Sequence, residues 1–84
     1  DIIYIQSDRH YLLYYTKNRD SNDPIKERCT LPEKENEYKK YSFIKTHSRY
    51  MVNAEHIARF DILLNTIVMD NGSKVPISQK YQRT

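Results

Sequence analysis

The apolar positions of this chain come mostly in short runs with period two, the pattern of strands that bury one face. Ile2-Ile3-Tyr4-Ile5-Gln6 is rich in β-formers and predicts a strand. Ser7-Asp8-Arg9-His10 is polar and predicts a loop of about four residues that closes a hairpin with the next run. Tyr11-Leu12-Leu13-Tyr14-Tyr15-Thr16 is apolar on both faces, as a central strand requires. Ile25 to Thr30 alternates Ile25, Glu27 and Cys29 against Lys26, Arg28 and Thr30, a short strand with one wet face. Phe43 to His47 and Tyr50 to Asn53 read as extended pieces, Ala54 to Ile57 as one turn of helix, and Ala58 to Leu64 gives a mixed pattern without a clear period.

Two boundaries are strongly marked. Thr30-Leu31-Pro32-Glu33 has the order of a helix start, with a capping residue, a proline in the first turn and a glutamate three residues after the cap. Glu33, Glu35 and Glu37 lie early and Lys39 and Lys40 late, matching the helix dipole. The spacing predicts a helix over about 31–41 with Leu31, Tyr38 and Tyr41 on one face. Asn71-Gly72 between Thr66–Asp70 and Ser73–Ser78 predicts a hairpin with a two-residue turn, pairing Val68 with Val75 and Thr66 with Ile77. Pro76 cannot donate to a ladder, so the last strand belongs at an edge. Lys17 to Pro24 is the most loop-like stretch and a candidate for disorder. The whole reads as mainly β, an antiparallel domain of about seven short strands with one or two short helices.

Composition narrows the function classes. At 84 residues the chain forms one small domain. One cysteine, Cys29, excludes an intramolecular disulfide framework, and no apolar run approaches the roughly 18 residues of a membrane span. No signal-peptide pattern opens the chain, so a reduced, soluble, cytoplasmic domain is expected. Cys29, His10, His47 and His56 match no zinc spacing, so no metal is expected. The only glycine sits in the Asn-Gly turn, which leaves no phosphate-cradling loop, and no nucleophile elbow occurs. Neither enzyme activity nor a cofactor is expected.

The formal net charge is +3, which suits a polyanionic partner. The acidic residues gather at 20–27 and 33–37, leaving Arg9, Lys45, Arg49, Lys80 and Arg83 for another face. A strand continued past Phe43 would put Lys45, His47 and Arg49 on one side, with Ser48 between them. Arg9-His10 and Ser78-Gln79-Lys80 are two further clusters able to reach phosphates and base edges. Three separate loop clusters on a β domain predict contact by loops. The helix, acidic in its first half, would be repelled by DNA.

Three blocks of the chain resemble one family. Phe43-Ile44-Lys45-Thr46-His47-Ser48-Arg49-Tyr50-Met51-Val52-Asn53, with Ile57 following, is similar to the signature of LytTR DNA-binding domains, roughly F-x-R-x-H-R-S-Y-x-V-N-x-x-x-I. Asp1-Ile2-Ile3-Tyr4-Ile5 resembles the family's opening block, and Asn71-Gly72 with Val75-Pro76-Ile77-Ser78 and Tyr81 its closing block. The resemblance implies an elongated antiparallel β fold and an effector domain, spanning 1–84, excised from a bacterial two-component response regulator. It implies two copies bound to direct repeats in double-stranded promoter DNA, read by loops in successive major grooves. An upstream receiver or sensory domain would control the pair, with no membrane contact by this domain. By position, His10 matches a base-reading histidine, Ser48 replaces a base-reading Arg or Asn, Gln79 replaces an Arg, and Lys45 and Lys80 would hold phosphates. The usual H-R-S-Y stands here as His47-Ser48-Arg49-Tyr50, with Arg and Ser exchanged. Asn53 reads as a turn-former and Cys29 as packing. Two other classes remain: a protein-interaction module, or a single-strand nucleic-acid binder stacking bases on exposed Tyr, which supplies eight of the ten aromatic residues.

Overall fold

The chain's computed structural model describes residues 2–18, 20 and 22–78. The elements run β1 (Ile2–Asp8), β2 (Tyr11–Thr16), β3 (Ile25–Arg28), α1 (Leu31–Lys39), β4 (Phe43–His47) and β5 (Tyr50–Asn53). A 3-10 turn at Ala54–His56 then leads to β6 (Ile57–Asp61), β7 (Thr66–Met69) and β8 (Lys74–Pro76). Strands β1 to β5 form one sheet in the order β3-β2-β1-β5-β4, and β6-β7-β8 form a second. Every pairing among them is antiparallel. The predicted class holds, with extents of 33 × 26 × 23 Å that make the elongation slight.

Both faces of the larger sheet are covered. On one, Ile5, Leu12, Tyr14, Phe43 and Met51 pack under Leu31 and Tyr38 of α1. On the other, Ile3 and Val52 meet Ile67, Met69 and Val75 of the smaller sheet. The layers are therefore helix, sheet, sheet. Fully buried Ile, Leu and Met side chains each contribute roughly 1.5–3 kcal/mol, and Ile3, Ile5, Leu12, Leu31, Met51 and Met69 are all in that class. An irregularity in the β1–β2 register between Ile2 and Tyr4 lets the neighbours Ile3 and Tyr4 both pack toward the second sheet.

The local signals mostly formed what they predict. Thr30 caps α1, and the Glu33 carboxylate accepts the Thr30 backbone N–H at 3.0 Å. Asn53 is a turn-former as expected: its side chain accepts from Glu55 N–H at 3.0 Å and donates to the Ile2 carbonyl at 2.9 Å. Near Arg19 and Ser21, which lie outside the described residues, Asp20 accepts backbone N–H groups of Asn22 and Asp23.

Three expectations are corrected. The helix stops at Lys39, so Tyr41 falls beyond it and is 65% exposed, leaving Leu31 and Tyr38 as the packing stripe. The β1–β2 loop is shorter than four residues, because β1 continues to Asp8 and only Arg9 and His10 turn. The Asn-Gly hairpin pairs Ile67 with Val75 and Thr66 with Pro76, one step from the predicted register. The physical reason is the turn: Gly72 alone has positive φ (89°), its N–H bonds the Met69 carbonyl, and Met69 N–H bonds the Ser73 carbonyl. That is a type I turn followed by a left-handed glycine bulge, which adds one residue to the loop. β8 lies at an edge, as Pro76 requires.

Helix α1 is fastened to β4 by charge as well as by packing. Lys45 Nζ lies 2.8 Å from Glu35, which also takes Lys39 at 2.9 Å. Hydrogen bonds from Lys45 first, and Lys39 second, hold the Glu35 carboxyl below the usual carboxylate range. A depressed folded-state pKa stabilises above the unfolded value and is lost as protons bind. Stability is therefore expected to fall as pH drops below about 4.3, the reference Glu value. Urea midpoints measured from pH 6 to 3 check this, and Glu35→Gln is expected to flatten that part of the profile.

Candidate nucleic-acid interface

The register of the larger sheet brings distant turns together. β1 pairs with β5 through Tyr4–Val52, Ile5–Met51 and Gln6–Tyr50. Ser7 N–H then bonds the Arg49 carbonyl at 2.7 Å. The β1–β2 turn (Arg9, His10) and the β4–β5 turn (Ser48, Arg49) consequently lie at the same end of the sheet, all four residues exposed. Arg9 holds φ +59°, an uncommon state for a residue with a Cβ. β3 adds Arg28 at that end, opposite Tyr11 and exposed. The sequence pattern showed Arg28 only as the wet side of a strand. Its neighbour Tyr11 is set by a pairing across the 17–24 loop, which no local pattern reveals. The acidic 20–23 segment follows β2 at the opposite end, since Tyr14 pairs with Ile25 there.

The expectation that Lys45, His47 and Arg49 share one strand face is wrong, and a bulge is the reason. Lys45 pairs with Met51 but His47 pairs with Tyr50, so Thr46 is an inserted residue. Lys45 stays on the helix side with Met51, against Glu35 and with 18% of its side chain exposed. His47 stands on the other side, its ring edge-on to Tyr50 with centroids 5.7 Å apart. One inserted residue exchanges the faces. Thr46 is buried instead, and Arg49 lies in the turn, not the strand. A phosphate contact by Lys45 would have to compete with the Glu35 carboxylate.

His47 shapes the turn that follows it. Its Nδ1 accepts the Arg49 backbone N–H at 3.2 Å and lies 3.5 Å from Ser48 Oγ. A neutral ring whose Nδ1 accepts carries its proton on Nε2, which leaves Nε2–H as the ring's remaining donor. Ser48 and Arg49 occupy a two-residue turn, so their exchange relative to the family signature changes which side chain stands at which turn position. It does not flip a strand face.

The remaining predicted residues are easily placed. Gln79 and Lys80, with Arg83, lie outside the described residues. Ser78 N–H bonds the Thr46 carbonyl at 2.9 Å, beside His47. His56 pairs with Asp70 at 2.6 Å, tying the 3-10 turn to the β7–β8 hairpin. Burial and a hydrogen bond to Glu27 push the Cys29 thiol up, which fits packing and not a reactive thiolate. Among the described residues no cluster of His, Cys, Asp and Glu could hold a metal ion. No helix there is long and apolar enough to cross a membrane.

Known proteins share this architecture. The family model for the LytTr DNA-binding domain matches residues 1–84. A solved structure, described as the LytTr DNA-binding domain of a putative methyl-accepting/DNA response regulator from Bacillus cereus, is similar at 27% identity and a TM-score of 0.81. That match covers 98% of this chain and 74% of the other. No curated protein sequence matches the chain.

The hydrogen bond from Arg49 N–H to His47 Nδ1 makes a prediction about the turn. His47→Ala is expected to speed hydrogen exchange at the Arg49 amide about five- to twelvefold, for removal of one bond worth roughly 1–1.5 kcal/mol. His47→Asn, whose Oδ1 can stand in for Nδ1, is expected to keep most of the protection, as measured by NMR exchange.

Proposed function

Because the chain belongs to the LytTR DNA-binding domain family, we propose that it is the DNA-reading module of a transcription regulator and that the basic end of its larger sheet is the reading surface. The observation that carries this is the meeting of two turns that lie far apart in the chain. Arg9, His10, Ser48 and Arg49 are exposed together at one sheet end, with Arg28 beside them. Guanidinium groups fix the module on phosphates, and the turn residues read base edges. His10 is the base reader on the first turn. Arg49, with the longer reach, takes the base or phosphate on the second, and Ser48 sits against His47. Gln79 and Lys80 join the contact on the strength of the family resemblance.

Two copies on direct repeats, each reading successive major grooves, follow from the family resemblance. So does an upstream receiver whose phosphorylation would raise the effective concentration of paired modules. The cytoplasm of a bacterium is the matching compartment. A stacking single-strand reader finds less support. Tyr4, Tyr14, Tyr15, Tyr38 and Tyr50 are engaged in ring contacts. Among the described tyrosines, Tyr11 and Tyr41 are the ones that rank as exposed large hydrophobics.

Selection of duplexes from a random pool is expected to return paired direct repeats. Retention of the same sequences as single strands in preference to duplexes would overturn the reading. Arg28→Ala and Arg49→Ala are expected to weaken DNA binding and to reduce the log–log salt slope, by about one unit for each phosphate that is no longer neutralised. His10→Ala is expected to change sequence preference at one position. Arg9→Gly separates strain from charge: it relieves the left-handed backbone, so stability holds or rises by roughly 0.5–1 kcal/mol, while DNA affinity falls. Thermal melts and binding titrations on the same sample check both halves.

A further inference from the structure

We infer that β6 is a self-association edge through which two copies of this chain pair antiparallel about a twofold axis centred on Phe60. The inference stands apart from the DNA-reading proposal and uses none of its residues. β6 ends the smaller sheet, and among the described residues no strand pairs with its outer edge. An open edge strand invites another strand unless charge, proline, a bulge or a cover blocks it, and the irregularity in β6 between Ile57 and Arg59 leaves Arg59–Asp61 as the regular part of this edge. Here the edge runs directly into a group of strongly exposed apolar residues. Phe60 is 61%, Ile62 85%, Leu63 94% and Leu64 61% exposed.

The charges on β6 choose the partner and the register. Arg59 alone at an edge would repel a second copy laid across it, since like charges directly opposite destabilise a ladder. Centred on Phe60, the antiparallel register instead sets Arg59 opposite Asp61 of the second copy, twice. It stacks Phe60 on its own counterpart and brings Ile62 of each copy toward Ala58 of the other. The opposite charges and the aromatic pair both favour this register over one centred on Arg59. One Asp61 oxygen caps the turn by accepting Leu64 N–H at 3.2 Å, leaving the other available to a guanidinium.

Area sets the strength. At roughly 150–200 Å² for a fully exposed large side chain, the patch presents on the order of 500 Å² per copy, about the largest apolar patch expected on a monomer. The register engages Phe60 and Ile62, about half of that patch, so two copies bury about 500 Å² of apolar surface, below the usual specific interface, and the pair is weak and concentration-dependent. A twofold pair cannot join neighbours on direct repeats, which are related by translation along and rotation about the DNA axis. It would link copies on separate sites or separate duplexes.

Cysteine cross-linking tests the register without DNA. In a Cys29→Ser background, Phe60→Cys is expected to form a disulfide dimer under mild oxidation, because the two Cα atoms face each other within reach. Ala58→Cys is expected to remain monomeric, since its two copies stand about 13 Å apart along the strands. Sedimentation equilibrium of the unaltered 84-residue chain is expected to show dimer at high concentration, and Arg59→Asp to weaken it at least tenfold. The proposal is overturned if the unaltered chain stays monomeric at millimolar concentration. Cross-linking at Ala58 as fast as at Phe60 would also overturn it, since that reports collision and not register.

Discussion

The antiparallel union of β1 with β5 is the constraint on which the rest depends. It joins segments far apart in the chain through Tyr4–Val52, Ile5–Met51 and Gln6–Tyr50. Both ends of this seam are clamped. Asn53 donates to the Ile2 carbonyl at one end, and Ser7 N–H bonds the Arg49 carbonyl at the other. The seam lies in the middle of the larger sheet, so the side chains on its two faces seed both cores. Ile5 and Met51 build the helix-side cluster, while Ile3 and Val52 build the sheet-side cluster. A slip of one residue would exchange those faces and disrupt both cores together.

The same seam determines where chemistry can happen. Two hairpin turns fall at one sheet end because the strands that feed them are adjacent and antiparallel. The loop richest in acidic side chains falls at the other end for the same reason. Arg9, Arg28 and Arg49 outnumber Asp8 at the first end, whereas the 17–24 loop balances two acidic residues with two basic ones, and a local excess of this kind, more than the total, shapes the field a polyanion meets. The bulge at Thr46 divides the work further. It keeps Lys45 as a structural cation against Glu35 and turns His47 to brace the next turn.

Much of this was legible locally. The strands at Tyr11–Thr16, Phe43–His47 and Tyr50–Asn53, the Thr30 cap with Glu33, and the edge position of the Pro76 strand all follow from short-range chemistry. Less visible were features in which one residue changes a register. The left-handed Gly72 shifted the last hairpin by one position, and the inserted Thr46 moved Lys45 and His47 to opposite faces. Both depend on backbone angles that alternation does not encode. The mixed 58–64 stretch became a strand and an apolar turn in which Phe60, Ile62, Leu63 and Leu64 stay exposed among the described residues.

By itself the sequence determined the class of fold, the family, and the residue types available for reading DNA. Propensity, capping and turn chemistry act within a few residues, and a spaced signature needs no coordinates. Only the tertiary structure decided which of those residues meet. Arg28 joined the basic end through a pairing across a long loop, Lys45 left it through a bulge, and Arg9 and Arg49 came to one end through β1 and β5. Those outcomes are set by which strand faces can be buried together, and burial is a property of the assembled layers and not of any one segment.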